Sequence, residues 1–464
     1  MKALDRKLLR DLRLMWSQAL TIALVVASGI GGFITTLSAV DSLALARERF
    51  YAEGRFADVF AAVKRAPDAL SDSLRGIPGV ADVQTTTEML VRITLEGSSD
   101  PITGQLIGID RRQPPRMNRL TLRSGQAEDA SMSPGPARAD GSIPAWISES
   151  FAVVHGLKPG ARLQALVNGR QRTIVMAGVA LSPEFIFAGL FGMPDQRTFG
   201  IFWVDAEALA AAYDMEGAFN RVAVKLAPGG DERAVIDALE RRLARYGGRS
   251  AHGREDQTSH AMLDNEIKEQ RVLATMLPAI SLGLAAFLLN VVISRLVSTQ
   301  REQIAALKAL GYPNASIAAH YLKLVLAIVA LGLVLGLLVG RSLGLMMLGL
   351  YVEFFRFPVF DYQMAPGLVL ISLGLTVLTA VAGTMNAIAA TVRLAPAEAM
   401  RPPAPGRFRP TLAERLGFTR LSTVLRMILR NMERRPWRSS LAIVGVAASV
   451  AIVIMGNFFR DAIE

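Results

Sequence analysis

Residues 322–350 read LKLVLAIVALGLVLGLLVGRSLGLMMLGL. From Leu324 to Gly340 no side chain is charged, and Lys323 and Arg341 stand where long cationic side chains can reach the two edges of an apolar run. About twenty apolar residues, at roughly 1.5 Å rise each, cross a hydrocarbon layer of about 30 Å. The stretch therefore predicts a membrane-spanning helix. Its glycines, Gly332, Gly336, Gly340 and Gly344, recur every fourth residue. Bare backbone on one helical stripe lets another helix approach closely, so the four predict a packing face. Outward from this stretch, Ala19–Val40, Leu273–Leu296, Gly367–Val392 and Ser440–Phe459 have the same character. The expectation is an integral membrane α-helical protein with about five spans.

The chain carries 51 basic and 40 acidic residues, a formal charge of +11. Within 47–270 the charges nearly cancel. The excess lies in Lys2–Arg13, Arg295–Lys323 and Arg393–Arg438, each beside an apolar span. Basic clusters in that position follow the positive-inside rule rather than marking a nucleic-acid surface. They predict a multi-pass protein of a bacterial inner (plasma) membrane with membrane lipid as a partner. The N-terminus and the segments 298–320 and 393–438 are then cytosolic, and 47–270 lies outside. Residues 1–16 read as a basic amphipathic helix, with Leu8, Leu9, Leu12 and Met15 at helical spacing and Trp16 at the interface. Ala19–Val40 exceeds the ~7–15 residues of a signal-peptide apolar region, which predicts an uncleaved anchor.

Segment 47–270 reads as an extracytoplasmic α+β domain. Strand-like Ala57–Lys64, a helix at Asp68–Arg75 and strand-like Val83–Leu95 are echoed by strand-like Arg221–Leu226 and an amphipathic helix at Asp231–Tyr246. These look like two halves of one small unit, with a β-rich insert at about 100–215. Strand candidates in the insert are Gln105–Ile109, Ala145–Ile147, Arg162–Val167 and Arg172–Val179, separated by turn signals at Lys158-Pro159-Gly160 and Asn168-Gly169. Glu128–Gly141 reads as a loose loop, and Tyr351–Tyr362 as a short aromatic segment.

Chemistry of the catalytic kind finds little support. The absence of cysteine excludes thiolate catalysis, zinc–thiolate sites and disulfides. His155, His252, His260 and His320 are the four histidines; His252 and His260 lie near Asp256 but read as a solvated helix approach, so no metal site is expected. No Gly-x-x-x-x-Gly-Lys-Ser/Thr occurs, so ATP hydrolysis is not expected on this chain; with no clustered reactive site to read, no catalytic residue, cofactor or enzyme activity is expected either.

Residues 298–312, STQREQIAALKALGY, predict a short cytosolic helix. Ile304, Leu307 and Leu310 fall on one side and Arg301, Glu302 and Lys308 on another. Gly311 supplies a left-handed C-cap and Pro313 prevents continuation. Ile317, His320, Tyr321 and Leu322 follow. This segment, the order of spans, and Ala395-Pro396-Ala397-Glu398-Ala399-Met400-Arg401 together resemble the FtsX-like permease family, which includes MacB-type and lipoprotein-releasing ABC transporters.

The resemblance implies a permease subunit driven by a separate cytosolic ABC ATPase that holds ATP–Mg²⁺. It makes the short helix a coupling helix, with Arg301, Glu302, Ile304, Leu307, Lys308 and Gly311 as the ATPase contact. It implies movement of a porter-like domain outside, exporting or extracting a lipid, lipoprotein or peptide by mechanotransmission, with a periplasmic adaptor or substrate-binding protein as a possible further partner. The alternative is a non-transporting regulator that activates extracytoplasmic cell-wall hydrolases. One repeat bears on assembly. Leu9-Arg10-Asp11-Leu12 before Trp16 and Leu20 resembles Leu429-Arg430-Asn431-Met432 before Trp437 and Leu441. The chain is thus expected to hold one full module and the opening of a second, as in a duplicated ten-span branch. The partner is then a second permease half or a second permease chain. The expected division is 1–46 (basic helix and first span), 47–270 (outer domain), 271–400 (permease core, coupling helix about 298–311), 401–438 (Arg/Pro-rich linker and basic helix) and 439–464 (fifth span).

Overall fold

The computed structural model describes residues 3–95, 101–125, 133–189 and 195–393, with scattered positions between 422 and 454. Two compact units emerge: a helical unit of Met1–Val40, Gln270–Met347 and Tyr362–Glu464, and a β-rich unit of Asp41–Glu269 with Leu348–Asp361. In chain order, α1 (Ala3–Leu14) and α2 (Trp16–Glu53) precede β1 (Val59–Pro67), α3 (Leu70–Arg75) and β2 (Val80–Thr86). Next come β3 (Glu88–Thr94), β4 (Ile102–Ile109), β5 (Thr121–Gly125), β6 (Ile143–Ser148), α4 (Glu149–Val154), β7 (Arg162–Val167), β8 (Arg170–Leu181), β9 (Phe199–Asp205) and α5 (Ala206–Ala212). The β-rich unit then returns through β10 (Ala218–Leu226), α6 (Glu232–Leu243) and β11 (Arg249–Gly253). Four helices follow: α7 (Thr258–Thr299), α8 (Arg301–Ala309), α9 (Asn314–Phe354) and α10 (Pro366–Arg393).

In the β-rich unit, β11-β1-β10-β2 form a four-stranded antiparallel sheet. Helix α6 buries Val235, Leu239 and Leu243, one residue per turn, and α3 buries Leu70 and Leu74, together with Val59, Val222 and Val224 of the sheet. The Asp231 carboxylate caps α6 by accepting from the Arg233 and Ala234 amides. So the two halves read from the sequence share one sheet. Between them lies a seven-stranded sheet of order β5-β8-β6-β9-β4-β3-β7, and a further β7–β8 pairing closes six of these strands into a ring. Asn168 and Gly169 both take positive φ, as the two-residue hairpin between β7 and β8 requires.

Three features depart from the sequence reading. The expected single strand Val83–Leu95 divides at Thr87 into β2, in the four-stranded sheet, and β3, in the ring. Asn220 holds this corner like a piece of backbone, accepting from Glu88 N (2.8 Å) and donating to Glu88 O (2.7 Å). Strand β9, central in the ring and buried at all seven positions, carries no alternation to read because both its faces are covered. The aromatic segment after α9 packs on the β-rich unit: Arg123 donates to the carbonyls of Phe357 (2.5 Å) and Pro358 (2.9 Å), and Phe355 meets Phe187 edge-on.

The helical unit packs Ile22, Val26, Ile30 and Ile34 of α2 against Leu282, Ala285, Leu289 and Ile293 of α7, Leu324, Val325 and Ile328 of α9, and Ala380 of α10. The outward side chains are equally apolar: Leu338 and Leu378 are 62% and 64% exposed. A helix apolar all round belongs in a membrane or a large core. Helices α2, α7, α9 and α10 are each long and apolar enough to cross a bilayer, so four candidate spans occur among the described residues. The hydroxyls of Ser372, Thr376, Thr379 and Thr384 donate to carbonyls one turn back in α10, which satisfies these four donors in an apolar setting. The Arg/Pro-rich linker, the second basic helix and the expected fifth span, Ser440–Phe459, lie outside the described residues apart from scattered positions, as does Ala395–Arg401.

Candidate functional site

Helix α8 is shorter than the expected 298–311, because Gln300 leaves helical geometry (φ −93°, ψ 17°) and separates it from α7. Its far end is a Schellman cap. Gly311 has φ +87°, its N–H donates to Lys308 O (3.0 Å), and the Tyr312 N–H donates to Leu307 O (3.1 Å). Leu307 and Tyr312, the side chains expected to touch in that cap, both pack against buried Ile304, Ile317 and Tyr321.

This fixes what α8 presents. Ile304 (1% exposed) and Ala305 are inside the helical unit, and Arg301, Leu307 and Lys308 are half-buried. Glu302, Gln303, Ala306, Ala309 and Leu310 are exposed, Leu310 by 76%. Of the six residues read as an ATPase contact, Glu302 and Gly311 are therefore fully at the surface, and Ile304 is an anchor.

The break at Gln300 has a cause that sequence reasoning missed. Lys7 donates to Asp11 Oδ2 (2.5 Å) and to Gln300 Oε1 (2.7 Å), Gln300 Nε2 donates to Asp11 Oδ1 (3.3 Å), and Tyr321 OH donates to Gln300 Oε1 (3.0 Å). His320 Nε2 lies 3.4 Å from Asp11. The cluster joins α1, the α7–α8 junction and the start of α9. Its signal in the sequence is slight: Asp11, one of two acids in a helix rich in lysine and arginine, stands four residues after Lys7.

Along α9, Gly332 lies against Ala23 O and Val26, Gly336 against Ala27 O and Ile30, Gly340 against Gly31 O and Ile34, and Gly344 against Ser38 and Tyr362. A Cβ on any of the first three would fall 2.8–2.9 Å from its nearest neighbour in α2. Thr35 also donates to Gly340 O across this contact (3.2 Å).

Residues 275–396, which contain α8, α9, α10 and the C-terminal part of α7, match the FtsX-like permease C-terminal family. These residues carry an FtsX-like permease C-terminal domain, and the rest of the chain lies outside the match. The match and the long apolar helices point to a permease-type membrane protein. Two solved structures resemble parts of the permease. The extracellular domain of the noncanonic ABC-type transporter YknZ from Gram-positive bacteria is 14% identical, covering 42% of this chain and 98% of its own, with a TM-score of 0.28. The periplasmic region of MacB from Actinobacillus actinomycetemcomitans is 10% identical, covering 46% of this chain and 94% of its own, with a TM-score of 0.27. No curated protein matches the chain.

The β-rich unit of the permease carries its own buried charges. Arg221 of β10 donates to Glu88 of β3 (2.6 Å) and to Glu184, in the loop after β8; Asn118 Nδ2 also donates to Glu184 (2.7 Å). Burial pushes the Glu184 carboxyl up, against the pull of Arg221 and with a further push from Glu88. The histidines have structural partners: His252 stacks on Phe60, His260 Nδ1 is 3.1 Å from Tyr51 OH, and His155 Nε2 is 2.8 Å from Arg197 O. Among the described residues no group of three or more His, Cys, Asp or Glu is arranged to hold a metal.

Proposed function

We propose that this permease couples ATP hydrolysis on a separate cytosolic subunit to movement of its β-rich unit outside a bacterial inner membrane, acting on a lipid, lipoprotein or peptide by mechanotransmission. The N-terminus, α1 and α8 are cytosolic in this reading, because their basic residues flank the apolar helices. The observation that carries it is the surface of α8. A nine-residue helix is capped at a fixed end and anchored by Ile304, and it exposes Glu302, Gln303, Ala306, Ala309 and Leu310 at the return between two long apolar helices. A rigid, shallow, part-apolar helix face suits insertion into a groove on a partner. The ATP–Mg²⁺ belongs to that partner. A second permease half or chain completes the assembly, with an adaptor outside as a further candidate partner.

The test is co-purification of the permease with its cognate ATP-hydrolysing subunit. Substituting Glu302→Ala together with Leu310→Ala is expected to weaken the association by about 2 kcal/mol or more, as for a central interface residue. Permease that stays folded and still retains its ATPase with unchanged stimulation of hydrolysis overturns this assignment.

A further inference from the structure

The β-rich unit contains a cleft of about 720 Å³ between its two sheets, within the volume range of ligand sites. One wall is the outer strand of the four-stranded sheet: five consecutive residues, Val83 to Thr87, line the cleft. In an antiparallel pair, alternate residues turn their N–H and C=O away from the neighbour. Val83 marks this phase, because its N–H donates sideways to the Asp82 carboxylate (2.9 Å) rather than to β10. Thr85, two residues on, shares that phase. Thr87, just past β2, has its carbonyl taken by Gly108 N (2.9 Å), so within this wall the outward backbone groups of Thr85 and the Val83 carbonyl are the ones that no other backbone group among the described residues pairs. An open strand edge is a template for another strand, and folds normally cover it.

The rest of the cleft restricts what can dock. Phe185 supplies an apolar patch with Leu120 and Trp203 nearly buried behind it (8% and 3% exposed), and Asp68 and Asp110 line the cleft together with Arg75, Arg112 and Arg116. Neither carboxylate forms an ion pair among the described residues. Burial, then the charge of Asp110, holds the Asp68 carboxyl above its ordinary range.

We propose that this cleft binds an extended peptide segment that adds as a strand to β2 at Thr85, seats an apolar side chain against Phe185, and places a lysine or arginine at Asp68 and Asp110. Backbone pairing supplies the affinity and the alternate side chains supply the selection. The site lies in the β-rich unit and does not depend on the coupling role of α8.

The full chain in nanodiscs of zwitterionic phosphatidylcholine is titrated against a labelled Val-Lys-Val-Lys-Val-Lys-Val peptide, followed by fluorescence anisotropy. Saturable binding is expected, with the glutamate counterpart Val-Glu-Val-Glu-Val-Glu-Val at least tenfold weaker. N-methylation of alternate peptide amides, which removes one edge of donors, is expected to cost at least tenfold as well. Asp68→Asn with Asp110→Asn is expected to erase the preference for lysine over glutamate. Thr85→Pro removes an amide that β10 does not use and is expected to weaken both peptides. The proposal is overturned if the lysine peptide does not bind, if the N-methylated peptide binds as tightly, or if the double asparagine variant keeps the lysine preference. Because no ATPase is present, these outcomes leave the coupling assignment to its own test.

Discussion

In the helical unit, Lys7 and Asp11 sit one turn apart on α1 and find Gln300, His320 and Tyr321; in the β-rich unit, Arg221, Glu88 and Glu184 come from two different sheets and a loop. The first cluster balances one cation with one anion and adds neutral groups that complete the hydrogen bonding. The second sets one guanidinium between two carboxylates and retains a net negative charge. A locally paired, balanced cluster can lose a neutral member and keep its charges compensated. A long-range cluster with an excess anion cannot lose its only cation without leaving two carboxylates facing each other.

That contrast can be broken from either side. The largest effect is expected from Arg221→Met, which strands Glu88 and Glu184. With Arg221 26% exposed, the cost is set at about 3 kcal/mol, the lower end for a buried pair. Urea unfolding of the full chain, followed by emission of the buried Trp146 and Trp203, measures it. Gln300→Leu is expected to cost less, about 1–2 kcal/mol, because Lys7 and Asp11 still hold each other. Thermal unfolding in nanodiscs checks the order of the two. Gly336→Leu tests the helix contact, since its Cβ would come 2.9 Å from that of Ile30. Overpacking there costs about 1–3 kcal/mol, whereas Gly349→Ala, with no heavy atom within 4 Å of the new carbon, stays within about 0.5 kcal/mol.

A pH titration sharpens the comparison further. Native Glu184 takes up its proton at higher pH than in the unfolded chain. Between the ordinary glutamate value and the raised native one, the native state therefore binds more protons, and stability falls as pH rises through that window. Glu184→Gln is expected to flatten this slope in the urea titration, and a slope that persists assigns it elsewhere. The smallest stability change belongs to Leu310→Ala, within about 0.5 kcal/mol because the side chain is 76% exposed. Only its association with the ATPase should suffer.

Much of the framework was legible because it depends on local periodicity. The apolar runs located α2, α7, α9 and α10, although α2 extends to Glu53 and α7 starts at Thr258, both beyond the uncharged stretches, since a helix does not end where its apolar character does. The Gly311 cap was visible because a helix end requires positive φ and then a stop. The four glycines of α9 announced a packing stripe through their spacing alone. The halves of the four-stranded sheet were visible as a repeated strand–helix order. Strand β9 was not, because a strand covered on both faces has no alternation.

The sequence by itself determined the long apolar helices, the position of the short helix between two of them and the presence of a close-packing helix face. These follow from transfer energies and backbone geometry that each segment carries on its own. Tertiary structure decided that the glycine stripe meets α2, that Gln300 rather than Ser298 begins the break, that Ile304 points inward while Glu302 and Leu310 point out, and that Arg221 stands between two carboxylates. Each of these depends on which distant residue arrives opposite. That is a property of chain topology and not of any local pattern.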